Sequence, residues 1–100
     1  MPVFKGRGSG DIYSQYFNIP YKIISFYITN RDASYNATVS VYIQTEGGRD
    51  TLISAKSFTL KPGQSYVRDT ITKVAKNERI HIVTNILEGR DLIDYYFSID

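Results

Sequence analysis

The run YKIISFYIT, Tyr21 to Thr29, decides the fold. Ile24, Phe26 and Ile28 fall on one parity, joined by Lys22 at the entry of the run, and Ser25, Tyr27 and Thr29 fall on the other. Successive side chains of a strand point to opposite faces, so this period of two predicts a strand packed on one side. The next run, TVSVYIQT from Thr38 to Thr45, repeats the period with Val39, Val41 and Ile43 inward and Thr38, Ser40, Tyr42 and Gln44 outward. A polar turn beginning Asn30-Arg31-Asp32 joins the two runs, which are expected as antiparallel neighbours.

The same pattern continues toward the C-terminus. In Arg79 to Thr84, Ile80, Ile82 and Thr84 oppose Arg79, His81 and Val83; in Leu92 to Ile99, Ile93, Tyr95, Phe97 and Ile99 oppose Leu92, Asp94, Tyr96 and Ser98. Weaker strands are expected over Thr51 to Leu60 and Tyr66 to Thr72, and Ile12 to Asn18 reads as an edge strand or as an extension of the segment before it. Turn chemistry separates them: Glu46-Gly47-Gly48-Arg49-Asp50 is one reversal, and Lys61-Pro62-Gly63 is another. In the second, proline presets the first central φ and glycine accepts the positive φ of a type II turn.

Short strands at this spacing, with no helical window, predict an all-β chain. The expected architecture is a single antiparallel β-sandwich, immunoglobulin-like or jelly-roll-like, of about seven to eight strands. Composition agrees, since Ile, Val and Thr make up 27 of 100 residues while Ala and Leu, the usual fillers of amphipathic helices, occur four times each. The glycines at 6, 8 and 10, with Ser9, Lys5 and Arg7, make residues 1–10 read as a flexible N-terminal arm ahead of a sandwich domain over residues 11–100.

The residue inventory narrows the chemistry. With no Cys there is no disulfide framework, thiol nucleophile or thiolate metal site, and His81 is the single imidazole. On the sequence alone His81 reads as an exposed strand residue, because no Ser, Cys or carboxylate falls at a spacing that would orient it as a base. The ten carboxylates fall mostly in turns, and Asp94 is placed to pair with a cation on a neighbouring strand. Gly6-x-Gly8-x-Gly10 lacks the strand, helix and GK[ST] ending of a phosphate loop. No catalytic, cofactor-binding or metal residue is therefore assigned. No run approaches the roughly 18 apolar residues of a membrane span, and the start MPVFKGRGSG lacks a signal-peptide core, so a cytoplasmic site of synthesis and no membrane partner are expected.

Binding remains. The chain has 9 Tyr and 5 Phe, and Tyr27 and Tyr42 are both expected to point outward. Rigid outward tyrosines suit a protein interface. The expected contact set is Val3, Phe4, Lys5 and Arg7 of the arm with Tyr13, Tyr16, Tyr27 and Tyr42. Tyr27 and Tyr42, with nearby Asn or Asp, could stack a carbohydrate. With Lys5, Arg7, Lys22 and Arg31 they could stack single-stranded bases. A net charge of +2 is far short of the basic excess of a dedicated nucleic-acid binder, so nucleic acid is not the expected partner.

Several segments carry a resemblance. "FTLKPGQSY" (Phe58 to Tyr66), "AKNERIHIVTN" (Ala75 to Asn85) and "DYYFSID" (Asp94 to Asp100), preceded by "FYITNRDASYNATVSVYI" (Phe26 to Ile43) with its TN-x-D turn, resemble small β-sandwich virion proteins of tailed bacteriophages. In these an LxPGxS-type turn and a closing strand with a Tyr recur. The likeness spans about three-quarters of the chain and rests on turns and strand patterning; the glycine-rich start and the tyrosine content depart from it. It implies a non-enzymatic head accessory, decoration or small tail or head-to-tail accessory subunit. Such a subunit would act in the virion without a small-molecule substrate, in many copies, as a homo-oligomer or held on a lattice by other virion proteins.

Overall fold

The computed structural model describes residues 3–100. Ten strands form two antiparallel sheets, and no helix occurs among the described residues. The first sheet orders β1 (Val3–Gly8), β10 (Ile93–Ile99) and β3 (Tyr21–Asn30), with β7 (Ser65–Arg68) and β8 (Thr72–Val74) both on the far side of β3. The second orders β2 (Asp11–Tyr13), β9 (Glu78–Thr84) and β4 (Ala37–Thr45), with β5 (Asp50–Leu52) and β6 (Phe58–Leu60) both on the far side of β4.

The chain steps between sheets at β1 to β2, β2 to β3, β3 to β4, β6 to β7, β8 to β9 and β9 to β10. With β5 and β6 taken as one interrupted strand, and β7 and β8 as another, eight strands lie in the orders 1-8-3-6 and 2-7-4-5. That connectivity is a jelly roll. Both interrupted strands were expected as single runs and β1 was not expected as a strand, which together account for ten strands where seven or eight were anticipated.

The expected inward sets meet between the sheets. Val39, Val41, Ile43, Ile80 and Ile82 from the second sheet face Phe26, Ile28, Ile93, Tyr95, Phe97 and Ile99 from the first, all buried. Phe26 and Phe97 stack at 4.6 Å, and Phe58 of β6 stacks on Tyr66 of β7 at 4.2 Å, tying one sheet to the other. The Pro62-Gly63 turn forms as expected, with Gly63 at φ 80 and the Gln64 amide donating to the Lys61 carbonyl.

Four expectations are corrected. Residues 3–8 are the edge strand β1, paired with β10 from Val3 opposite Ser98 to Gly8 opposite Ile93, and not a flexible arm. β3 and β4 belong to different sheets and are not neighbours. Opposite Ser98 and Ile99 the register of β3 moves from Ser25 to Ile23, so Ile24 is the extra residue of a bulge and Ile23 takes the fully buried place. Leu92, expected outward, is fully buried where the chain enters β10.

Candidate functional site

Residues directly opposite one another in an antiparallel pair share a face, so the registers define the outer surface of the first sheet. One rung across it reads Lys5, Tyr96, Tyr27 and Val67; the next reads Arg7, Asp94, Thr29 and Ser65. Tyr27 and Tyr96 stack with centroids 5.5 Å apart and planes 4° from parallel. Tyr27 is 44% exposed and Val67 62%, so the rung presents apolar area to solvent. Asp94 accepts from Arg7 Nε at 3.0 Å and lies 3.5 Å from Arg31 Nε, the cross-strand pairing expected for it. Three cations against one carboxylate leave this face basic. Lys5, Arg7, Tyr27, Asp94 and Tyr96 line a shallow groove of about 530 Å3.

The outer surface of the second sheet is built differently. Its central rung reads Tyr13, His81, Tyr42 and Leu52. Contrary to expectation, His81 is buried, and two carboxylates reach it from distant parts of the chain. Nε2 lies 2.9 Å from Asp11 and Nδ1 3.1 Å from Asp50, while Tyr13 stacks on the ring at 4.4 Å. Carboxylates only accept, so the doubly protonated ring satisfies both and the neutral ring satisfies one. With both nitrogens engaged and a face covered, His81 ties β2, β5 and β9 together.

Beside this tie, the Arg79 guanidinium lies 4.0 Å from the Tyr13 ring centroid and 4.5 Å from that of Tyr16, and its Nε donates to Gln44 at 2.8 Å. The amides of Ser14 and Phe17 donate to the carbonyls of Ile80 and Glu78. This holds the segment after β2 against β9.

The expected contact residues therefore separate. Val3, Lys5, Arg7 and Tyr27 gather on the first outer face. Phe4 does not belong there: it points inward onto Tyr95 (4.8 Å) and Phe97 (5.7 Å). Val3 and Phe4 also border a cleft of about 580 Å3 beside Tyr16, Phe17 and Ile99. Tyr13 and Tyr16 are engaged with Arg79, and Tyr42 lies on the opposite side of the sandwich, 5.8 Å from His81, so no platform joins Tyr27 to Tyr42. Lys22 sits at the far end of β3, opposite Lys73. Tyr96 and Arg31 were missing from the expected set. Parity put Tyr96 outward, but only the register puts it beside Tyr27.

The loop after β3 is pinned by two buried polar residues. Asn30 donates through Nδ2 to the carbonyls of Tyr35 (2.8 Å) and Leu60 (2.9 Å), and its Oδ1 accepts from the Asp32 amide. Asp32 accepts from the Ser34 and Tyr35 amides, both at 2.8 Å, and from Arg90 at 3.1 Å. Those amides, then Arg90 and Arg31, hold the Asp32 carboxyl below the usual carboxylate range against the opposing effect of burial. Burial pushes the Tyr95 hydroxyl the other way, upward.

Among the described residues, no group of three or more His, Cys, Asp and Glu side chains is arranged to hold a metal ion. No helix of the described residues is long and apolar enough to cross a membrane. No family model, curated protein or solved structure matches the chain.

Proposed function

We propose that the chain is a non-enzymatic structural subunit of a phage particle, a head accessory or decoration protein or a small tail accessory. In this reading it is made in the host cytoplasm and docks on neighbouring virion proteins, in many copies, through the outer face of its first sheet. The observation that carries the reading is the stacked Tyr27–Tyr96 pair, set between Lys5 and Val67 on one rung of the sheet with Tyr27 exposed and Tyr96 half-buried. Large aromatic rings with few rotatable bonds, beside guanidinium groups, are the composition of interface centres. Jelly rolls serve in viral capsids as well as in lectins, which supports the reading by analogy of fold alone.

The test is co-sedimentation of the purified chain with particles assembled without it. The chain is expected to pellet with them, and the Tyr27→Ser, Tyr96→Ser double variant to stay in the supernatant with its melting temperature preserved. A wild-type chain that never pellets with particles overturns the proposal.

The same ring pair favours a second reading, a carbohydrate- or host-surface-binding module, with Asp94 and Arg7 as polar partners beside a stacking surface. Its site uses Tyr96 in place of the distant Tyr42. Glycan-array binding lost in the Tyr27→Ser variant supports this reading, and silence across the array rejects it.

A further inference from the structure

Open sheet edges invite other chains to pair with them, and native sheets commonly blunt them with short strands, interruptions, proline or charge. Five of the six edge strands here are short. β2, β5, β6 and β8 have three residues each and β7 has four, and the β5/β6 and β7/β8 edges are each interrupted. β1 differs: Val3–Gly8 runs six residues in one unbroken register against β10, without proline, and among the described residues no strand pairs its other side.

What remains on that edge is charge. Lys5 and Arg7 project from alternate positions of β1 onto the outer face, with only Asp94 opposing them. A second copy pairing β1 with β1 would bring these cations together, which disfavours self-association. An acidic strand would be drawn to the same place.

We propose that β1 is a receiving edge, to which an extended acidic segment of a neighbouring protein adds as a further strand, its carboxylates beside Lys5 and Arg7. This inference rests on the reading of the surface as a docking site and names its partner's chemistry. Main-chain hydrogen bonds would supply affinity and the alternate charges register. The N-terminal segment is committed to its own sheet and so takes a strand instead of lending one.

The probe is an end-blocked peptide alternating glutamate with threonine, long enough to span Val3–Gly8, added to the full chain. The expected result is saturable binding that weakens with salt and slows hydrogen exchange of alternate amides in β1. Lys5→Glu should weaken binding at least about tenfold while Lys5→Arg keeps it. N-methylation of one alternate set of peptide amides should abolish binding, and of the other set leave it intact.

Equal binding by a lysine–threonine peptide, equal tolerance of both N-methylated sets, or unchanged exchange in β1 overturns the proposal. So does a dimer whose β1 amides are already protected, because the edge would then belong to a second copy. If the peptide fails while the Tyr27→Ser, Tyr96→Ser variant still loses particles, strand addition falls and the docking face stands. If the peptide binds and the chain never joins particles, the docking reading falls instead.

Discussion

The Tyr95 side chain occupies the space in front of Gly6: a Cβ built on Gly6 would stand 2.7 Å from the Tyr95 hydroxyl and 3.1 Å from its ring carbon. The two residues are directly opposite on β1 and β10, facing the core. Gly8 repeats the arrangement with Ile12, whose Cδ1 would lie 3.0 Å from an added Cβ. Glycines that suggest a loose arm are places where a neighbouring strand's side chain fills the room a Cβ would need.

Gly6→Ala is therefore expected to destabilise the fold. Replacing glycine by alanine in an extended segment gains roughly 0.4–1 kcal/mol by restricting the unfolded chain, whereas overpacking costs roughly 1–3 kcal/mol. The clash wins, and urea unfolding should show a net loss of about 1–2 kcal/mol. Tyr95→Phe should recover part of it in the double variant, because it removes the nearest atom but not the ring. Equal losses in the single and double variants would show that the hydroxyl is not the obstacle.

Asn30→Ala should cost about 3 kcal/mol or more, since it strands the Tyr35 and Leu60 carbonyls and the Asp32 amide in a buried site. Asn30→Asp keeps the acceptor and loses both donors, so it should rescue little. Chemical denaturation decides this, and a loss below about 1 kcal/mol would mean that water replaces the amide.

Asp32 sets an acid limit. Its folded carboxyl titrates below the unfolded value of 3.8, so the native state holds fewer protons and the stabilisation is present above that pH. It is lost as pH falls from the unfolded value through the folded one. Melting temperatures taken from about pH 5 down to about pH 2 should fall less steeply for Asp32→Asn than for the wild type, from a lower starting point. Parallel curves would remove Asp32 from the account of acid unfolding.

Arg79→Ala should lower stability by about 1–2 kcal/mol through two ring contacts and the Gln44 hydrogen bond. The Ser14 and Phe17 amides, bonded to β9, should then exchange faster than those of β10. Uniform acceleration across the chain would place Arg79 in the global core instead.

Parity made much of the core legible. The sets Val39, Val41 and Ile43, Ile80 and Ile82, and Ile93, Tyr95, Phe97 and Ile99 are buried as expected, because a sheet with one dry face writes its period into the sequence. The bulge at Ile24 escaped because one extra residue reverses the parity that announces the strand. Alternation assigns faces and not neighbours, so Tyr27 could not be separated from Tyr42 or joined to Tyr96 before the register was known. The bonds of His81 to Asp11 and Asp50 span 70 and 31 residues, a distance at which no local spacing carries a signal. Strand β1 was hidden because its inward positions carry Phe4, Gly6 and Gly8, only one of which is an apolar side chain.

Docking through the outer face of the first sheet is tested by the copy number of this chain in purified phage particles, measured by quantitative mass spectrometry against the major capsid subunit. The expected result is a fixed, reproducible stoichiometry of many copies per particle, lost when Tyr27 and Tyr96 are both replaced by serine. Absence from particles, or a trace amount that varies between preparations, would contradict it.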